Sequence, residues 1–183
     1  MASVLVPLAN GCEELEAVTI IDLLVRAGVE VVSAGLTPGP VKASRGVVIS
    51  PDTTLDEALK RDFDMLVLPG GLPGADYLNE DPRIQSLIKK MASEGRYLAA
   101  VCAAPKVLLS AGVLAGKQAT SYPGSLDALD TSGIDYREQS VVQDDKVITS
   151  RGPGTAMDFA LALIENLMGK QTRDEVAAGL LYG

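Results

Sequence analysis

The chain reads as a single-domain α/β protein, a doubly wound parallel sheet sandwiched by helices. Three observations predict this. Short aliphatic runs alternate with amphipathic runs along the whole length. Hydrophobic residues make up 47% of the chain but aromatics only 4%, so the core must be built from Val, Leu, Ile and Ala, as in a sheet buried on both faces. The length of 183 residues suits one domain, 1–183, with a sizeable core and no linker or repeat.

Ser3 to Leu8 is the first strand. Glu13 to Ala27 follows as a helix, with Leu15, Val18, Ile21, Leu24 and Val25 as its apolar stripe and Gly28 as its terminator. Val29 to Ala34 completes a βαβ unit, which makes the first two strands parallel. Val41 to Ala43 and Gly46 to Ser50 suggest a small hairpin around Ser44-Arg45. Thr54-Leu55-Asp56-Glu57 has the form of a capping box opening a short helix.

Asp64 to Leu68 is a central strand running into Pro69-Gly70-Gly71. Asp81-Pro82 supplies a cap and a first-turn proline for a helix with Ile84, Leu87, Ile88 and Met91 on one stripe, closed by Gly95. Tyr97 to Val101 is the next strand, and Pro105 to Ser110 begins the helix after it. Gln118 to Ser121 and Val141-Val142 are weaker strands. Asp144-Asp145 turns into a strand over Lys146 to Ser150. Thr155 to Met168 is a helix apolar nearly all round, which requires burial on more than one side, by a domain core or a subunit interface. Thr172-Arg173-Asp174-Glu175 resembles a second capping box, opening a C-terminal helix.

Ligands of doubly wound sheets sit beyond the carboxyl ends of the strands. Three loops fall there: Ala9 to Glu16, Pro69 to Gly74 and Cys102 to Pro105. Cys102 ends a strand among small residues, Ala100, Ala103 and Ala104, in the manner of a nucleophile elbow. The chain has no histidine, so a Cys-His dyad, a Ser-His-Asp triad and a His-ligated metal are excluded. A thiol at Cys102 must be activated by a carboxyl group, backbone N–H groups or a helix N-terminus; the alternative is a small buried core residue. Glu13 and Glu14 suit simple favouring of a helix start. Glu16, among Leu15, Ala17 and Ile20, suits a carboxyl kept protonated by its surroundings. Both Glu16 and Cys102 lie at the same sheet edge. Cys12 reads as an exposed bystander, with a resolving-thiol role as the alternative.

Ser150-Arg151-Gly152-Pro153-Gly154-Thr155 lacks the lysine and spacing of a P-loop, and no G-x-G-x-x-G follows the first strand. The net charge of −8 without a basic cluster argues against nucleic acid and anionic membranes as partners. No apolar run reaches the roughly 18–20 residues that span a bilayer. The first residues lack a basic n-region, and two cysteines form no disulfide framework, so a cytoplasmic setting is expected.

Five motifs in order carry a resemblance across nearly the whole chain: Asn10 to Glu16, Ala43-Ser44-Arg45-Gly46-Val47, Leu68-Pro69-Gly70-Gly71, Ala99 to Pro105, and Thr149 to Thr155. With these the chain resembles the ThiJ/PfpI superfamily of class I glutamine amidotransferase-like domains, in the branch of the parkinsonism-associated protein DJ-1 and its bacterial relatives. The resemblance implies a flavodoxin-like sandwich, a homodimer and no cofactor or metal. It implies that Cys102 is the reactive cysteine and Glu16 the acid beside it. Gly71 and Ala103 would supply backbone donors, and Arg45 would lie near the site across the dimer interface. Members act as glutathione-independent glyoxalases, deglycases or oxidative-stress chaperones. The implied partner is therefore a small aldehyde or a glycated molecule, nucleic acid entering only as a glycated substrate. Tyr122 stands before Pro123 where the family often has histidine, which excludes a histidine proton shuttle. The position after Cys102 is Ala103, not the histidine of protease-like relatives.

Overall fold

A computed structural model describes residues 1–183. Seven strands form the main sheet. In chain order they are β1 (Ser3–Leu8), β2 (Glu30–Gly35), β5 (Thr53–Thr54), β6 (Met65–Leu68), β7 (Tyr97–Val101), β10 (Val141–Asp144) and β11 (Val147–Ser150). Two further pairs stand apart: β3 (Val41–Lys42) with β4 (Val48–Ile49), antiparallel, and β8 (Gln118–Ala119) with β9 (Asp135–Tyr136), parallel. The helices are α1 (Glu14–Arg26), α2 (Leu55–Ala58), α3 (Gly74–Glu80), α4 (Pro82–Ser93), α5 (Pro105–Ser110), α6 (Ala156–Met168) and α7 (Lys170–Gly179).

The sheet order is β10-β11-β7-β6-β1-β2-β5, parallel throughout except for the β10–β11 hairpin at one edge. The chain first runs outward from β1 through β2 to β5, then returns to the other side of β1 at β6. The crevice of such a sheet lies where that direction reverses, between β1 and β6. β1, β6 and all of β7 after Tyr97 are buried, as aliphatic strands covered on both faces must be. One core layer gathers around Phe159, Ile20 and Leu24 beneath α1 and α6. The other gathers around Leu78, Ile84 and Ile88 beneath α3 and α4.

Several expectations need correction. The stripe expected inward on α1 is partly outward: Leu15, Val18 and Val25 are exposed, and Glu16, Ala17, Ile20, Leu23 and Leu24 are buried. This helix is apolar on two faces, and the face carrying Glu16 won the core. The all-round apolar α6 is satisfied within the chain, by the sheet on one side and by α1 and α7 on the others. The last helix opens at Gly169, whose φ of 87° turns the chain, and not at Thr172. α3 follows a Pro73 start that carries no apolar period. Thr54 does cap α2, accepting from Glu57 N–H at 3.4 Å, and Asp81 caps α4 through Arg83 N–H at 2.9 Å.

Candidate active site

The three loops at the carboxyl edge are stitched together by backbone bonds. Glu13 N–H donates to Gly70 O at 2.9 Å, Ser44 N–H to Cys12 O at 2.8 Å, and Gly11 N–H to Lys42 O at 2.8 Å. The approach is so close that side chains have no room. A Cβ on Gly71 would collide with Glu13 N, and one on Gly74 would lie 2.5 Å from Cys12 N. Gly71 also adopts a φ of +86°, open to glycine and strained for other residues.

Cys102 stands on the elbow after β7. Its φ of 62° lies in the left-handed region, which costs a side-chain-bearing residue about 1–2 kcal/mol. The turn is held on both sides. Cys102 N–H donates to Ser150 O at 3.0 Å, and Tyr122 N–H donates to Cys102 O at 2.8 Å. The thiol is half-buried, and the backbone N–H groups of Gly71 and Ala103 face it so as to favour its charged form. α5, which follows, is only six residues long, so those two N–H groups carry more of the stabilisation of a thiolate than the helix does.

Glu16, in the first turn of α1, is fully buried beside it. Gly70 N–H donates to its Oε2 at 2.8 Å. Its Oε1 is buried without a well-formed hydrogen bond, and the polar group coupled to this carboxyl is the Cys102 thiol. A Cβ on Gly70 would fall 2.6 Å from Cys102 Cβ and 2.8 Å from Glu16 Oε2, so that glycine is the gap through which acid and thiol meet. Burial pushes the Glu16 carboxyl up to about 7, against the Gly70 N–H and Cys102, which favour its charge. Burial and the Glu16 carboxylate push the Cys102 thiol up to about 12, opposed by the Gly71 and Ala103 N–H groups. The pair thus resists two negative charges and titrates as a unit. These shifts favour the first charge on Glu16, while the Gly71 and Ala103 N–H groups favour moving it to sulfur by proton transfer from the thiol to the carboxylate.

The cleft over Cys102 has a volume of about 580 Å³. Gly71, Ala103, Arg45 and Tyr122 all line it, together with Glu13, Ser44 and the Pro123–Ser125 turn. The structure thus brings together every residue expected at the site, with Arg45 reaching it within the same chain. The Tyr122 ring lies against Gly152, where a Cβ would come within 3.1 Å of Cδ2.

Two acids do more than expected. Neither Glu13 nor Glu14 caps α1 through its side chain. The Glu14 carboxylate accepts from Arg45 N–H at 2.9 and 3.0 Å and from Val47 N–H at 3.4 Å, and so holds the turn between β3 and β4. Burial opposes its charge, but N–H donors from its own backbone, Arg45 and Val47, with the Ser44 hydroxyl, outweigh that and keep it below the usual range. Glu13 reaches the Ser44 hydroxyl at 3.0 Å and lines the cleft. Only its acidic type beside Glu16 signalled this; the serine lies 31 residues away. Cys12, expected exposed, has no exposed surface, and burial pushes its thiol up to about 11.

The profile of the DJ-1/PfpI family matches residues 2–166. The chain belongs to the DJ-1/PfpI family. Within it, the chain is 47% identical over 180 residues to protein dj-1beta of Drosophila melanogaster, covering 98% of this chain and 96% of that protein. It is 39% identical over 170 residues to glutathione-independent glyoxalase DJR-1.2 of Caenorhabditis elegans, covering 93% and 90%. The crystal structure of Drosophila melanogaster DJ-1beta superposes with a TM-score of 0.95 at 46% identity, covering 100% of this chain and 98% of that one. The flavodoxin-like DJ-1/PfpI fold is thereby established, and no helix is long and apolar enough to cross a membrane.

Proposed function

We propose that the chain is a cofactor-free, cysteine-dependent enzyme for reactive carbonyls, converting methylglyoxal to lactate or cleaving its early adducts with amines and thiols. The observation that carries this reading is the coupled pair of Cys102 and buried Glu16 at the floor of an open cleft. The glyoxalase name of the Caenorhabditis elegans relative supports it.

The thiolate of Cys102 attacks the aldehyde carbon. The C–S bond forms, and the carbonyl electron pair moves to oxygen, steadied by the Gly71 and Ala103 N–H groups. Protonation of that oxygen gives a hemithioacetal. Glu16, poised near neutrality, relays the C1 proton through an enediol to C2. The resulting thioester is hydrolysed by water, the C–S bond breaks, and lactate leaves with the thiol restored. The sum is one methylglyoxal and one water to one lactic acid, with no external oxidant. Arg45 and Tyr122 would shape the cleft, Tyr122 offering a hydroxyl where relatives often carry histidine.

Lactate formation from methylglyoxal in wild type, Cys102→Ser and Glu16→Gln tests this. Turnover in wild type and its loss in both variants is expected. Absent turnover in wild type removes the methylglyoxal reading. A second reading rests on the unpartnered Glu16 Oε1. Cys102 oxidised to sulfinate would find its hydrogen-bond partner there, making the chain a redox sensor or chaperone. Intact mass after graded peroxide separates it from the first, because a sensor accumulates a stable product of two added oxygens. In either case a homodimer in the cytoplasm is the proposed form, with the exposed apolar residues of α1 as its support.

A further inference from the structure

Six of the eight arginines are held in ion pairs: Arg26, Arg61, Arg83, Arg96, Arg137 and Arg173. Arg45 and Arg151 are not. Arg45 belongs to the Cys102 cleft. Arg151 lines a second cavity of about 300 Å³, which shares Pro123 and Gly124 with that cleft. Two carboxylates, Asp127 and Glu138, line this cavity too. Opposite charges in so small a space would ordinarily pair, yet neither acid comes within 4.0 Å of the guanidinium. Arg151 Nε is moreover buried with no hydrogen-bond partner. Leaving a buried donor unsatisfied is costly, and a ligand acceptor would remove that cost.

The arginine is held in place by its backbone. It directly follows β11, its N–H donates to Ser140 O at 3.3 Å, and the preceding Ser150 hydroxyl bonds Ser140 O at 2.7 Å and the Thr155 hydroxyl at 2.7 Å. The Tyr136 hydroxyl is likewise committed, donating to Ser121 O at 3.2 Å. The cavity therefore presents a guanidinium on an anchored backbone and two carboxylates that do not pair with it.

We propose that this cavity binds a free α-amino acid as its zwitterion. The carboxylate pairs with the Arg151 guanidinium, and the ammonium sits towards Asp127 and Glu138. A simple anion would satisfy Arg151 but meet two carboxylates. A simple cation would meet the guanidinium. Only a ligand carrying both signs answers every charge in the cavity, and the volume is at the small end for ligand pockets. The binding is independent of Cys102 chemistry. Its role beside Cys102 rests on the carbonyl-adduct reading above, in which this amino acid is the amine part of the adduct.

Saturation-transfer NMR with L-alanine at millimolar concentration tests the site. The Cys102→Ser protein serves as background, so that no chemistry intervenes. N-acetyl-alanine, an anion only, and alanine amide, a cation only, are the controls. Alanine is expected to bind, with each control at least about tenfold weaker, which is 1.4 kcal/mol. Arg151→Gln should abolish the signal and Glu138→Gln should reduce it. Glu138 is exposed, so its variant tests the site even where Arg151→Gln fails to fold. Absence of alanine binding overturns the proposal, as does equal binding of the one-charge controls or binding undiminished in both variants. Methylglyoxal turnover, measured separately on the protein with Cys102 intact, distinguishes the two readings. Turnover without alanine binding removes only this site, and binding without turnover removes only the glyoxalase.

Discussion

Glu16 carries a charge that its surroundings resist. Its carboxyl titrates near 7 in the fold against 4.5 in the unfolded chain. The folded state therefore holds this proton more tightly. The resulting stability is fully present below about 4.5 and is lost as pH rises through about 7. Near 1.4 kcal/mol per pKa unit, the penalty above neutrality is about 3 kcal/mol. Glu16→Gln mimics the protonated acid and keeps an acceptor for Gly70 N–H. It is expected to melt several degrees above wild type at pH 8 and close to wild type at pH 4.5, as thermal scans at the two pH values would show. The same variant should lose turnover by roughly 10²–10⁴-fold, so the residue that destabilises the fold is the one the reaction needs. A variant no more stable than wild type at pH 8 would contradict a buried, proton-hungry carboxyl.

At the scale of elements, the site is a junction of loops more than a set of side chains. Gly71→Ala must place a methyl group against Glu13 N, Gly11 O and Cys12 C from a backbone with φ of +86°, and none of the three is a side chain that can swing away. It is expected to abolish soluble folding or cost more than about 3 kcal/mol in denaturant melts. Gly133→Ala, where a Cβ meets nothing within 4 Å, is the matched control and should behave as wild type. Glu14→Gln keeps the size of the side chain and removes the charge that gathers Arg45 N–H, Val47 N–H and the Ser44 hydroxyl. Faster amide exchange at Arg45 and Val47, with a raised KM for any substrate that Arg45 touches, is the expected result. Because the folded Glu14 is held below its ordinary range, wild type should approach the variant's exchange rates as acid neutralises it.

The order of β1, α1, β2, β6, β7 and α6 was legible because aliphatic runs and terminating glycines repeat the same βα unit. The inward face of α1 was not. Leu15, Val18 and Val25 make as good a stripe as Ile20, Leu23 and Leu24, and only the neighbouring elements decide between them. Cys102 and Glu16 could be placed at one edge because both end or begin elements there. That Gly70 lets them meet, and that Glu14 works on a turn some 30 residues away, are long-range facts with no periodicity to announce them.

Over the whole molecule, the faces of the sheet are closed by the chain's own helices, and α6 leaves only its terminal Met168 exposed among its large apolar side chains. Among the exposed apolar side chains, α1 carries three, Leu15, Val18 and Val25, each about half exposed, and the turn that Glu14 of α1 holds carries Val47 and Val48. If two copies pair as proposed, α1 is the surface they share. Val18→Glu is then expected to shift the sedimentation coefficient from dimer to monomer while leaving the monomer's circular dichroism unchanged. A dimer that survives the substitution would place the interface elsewhere.

Cys12 lies shut inside the loop junction with its thiol pushed up to about 11, and Cys102 sits at the floor of an open cleft. The native chain is consequently a one-handle molecule for spectroscopy. A fluorophore or spin label carried by a maleimide will report from the cleft alone, with no need to remove the other cysteine. The day a second label is taken up marks the moment the loops come apart, which turns Cys12 into a built-in gauge of local opening.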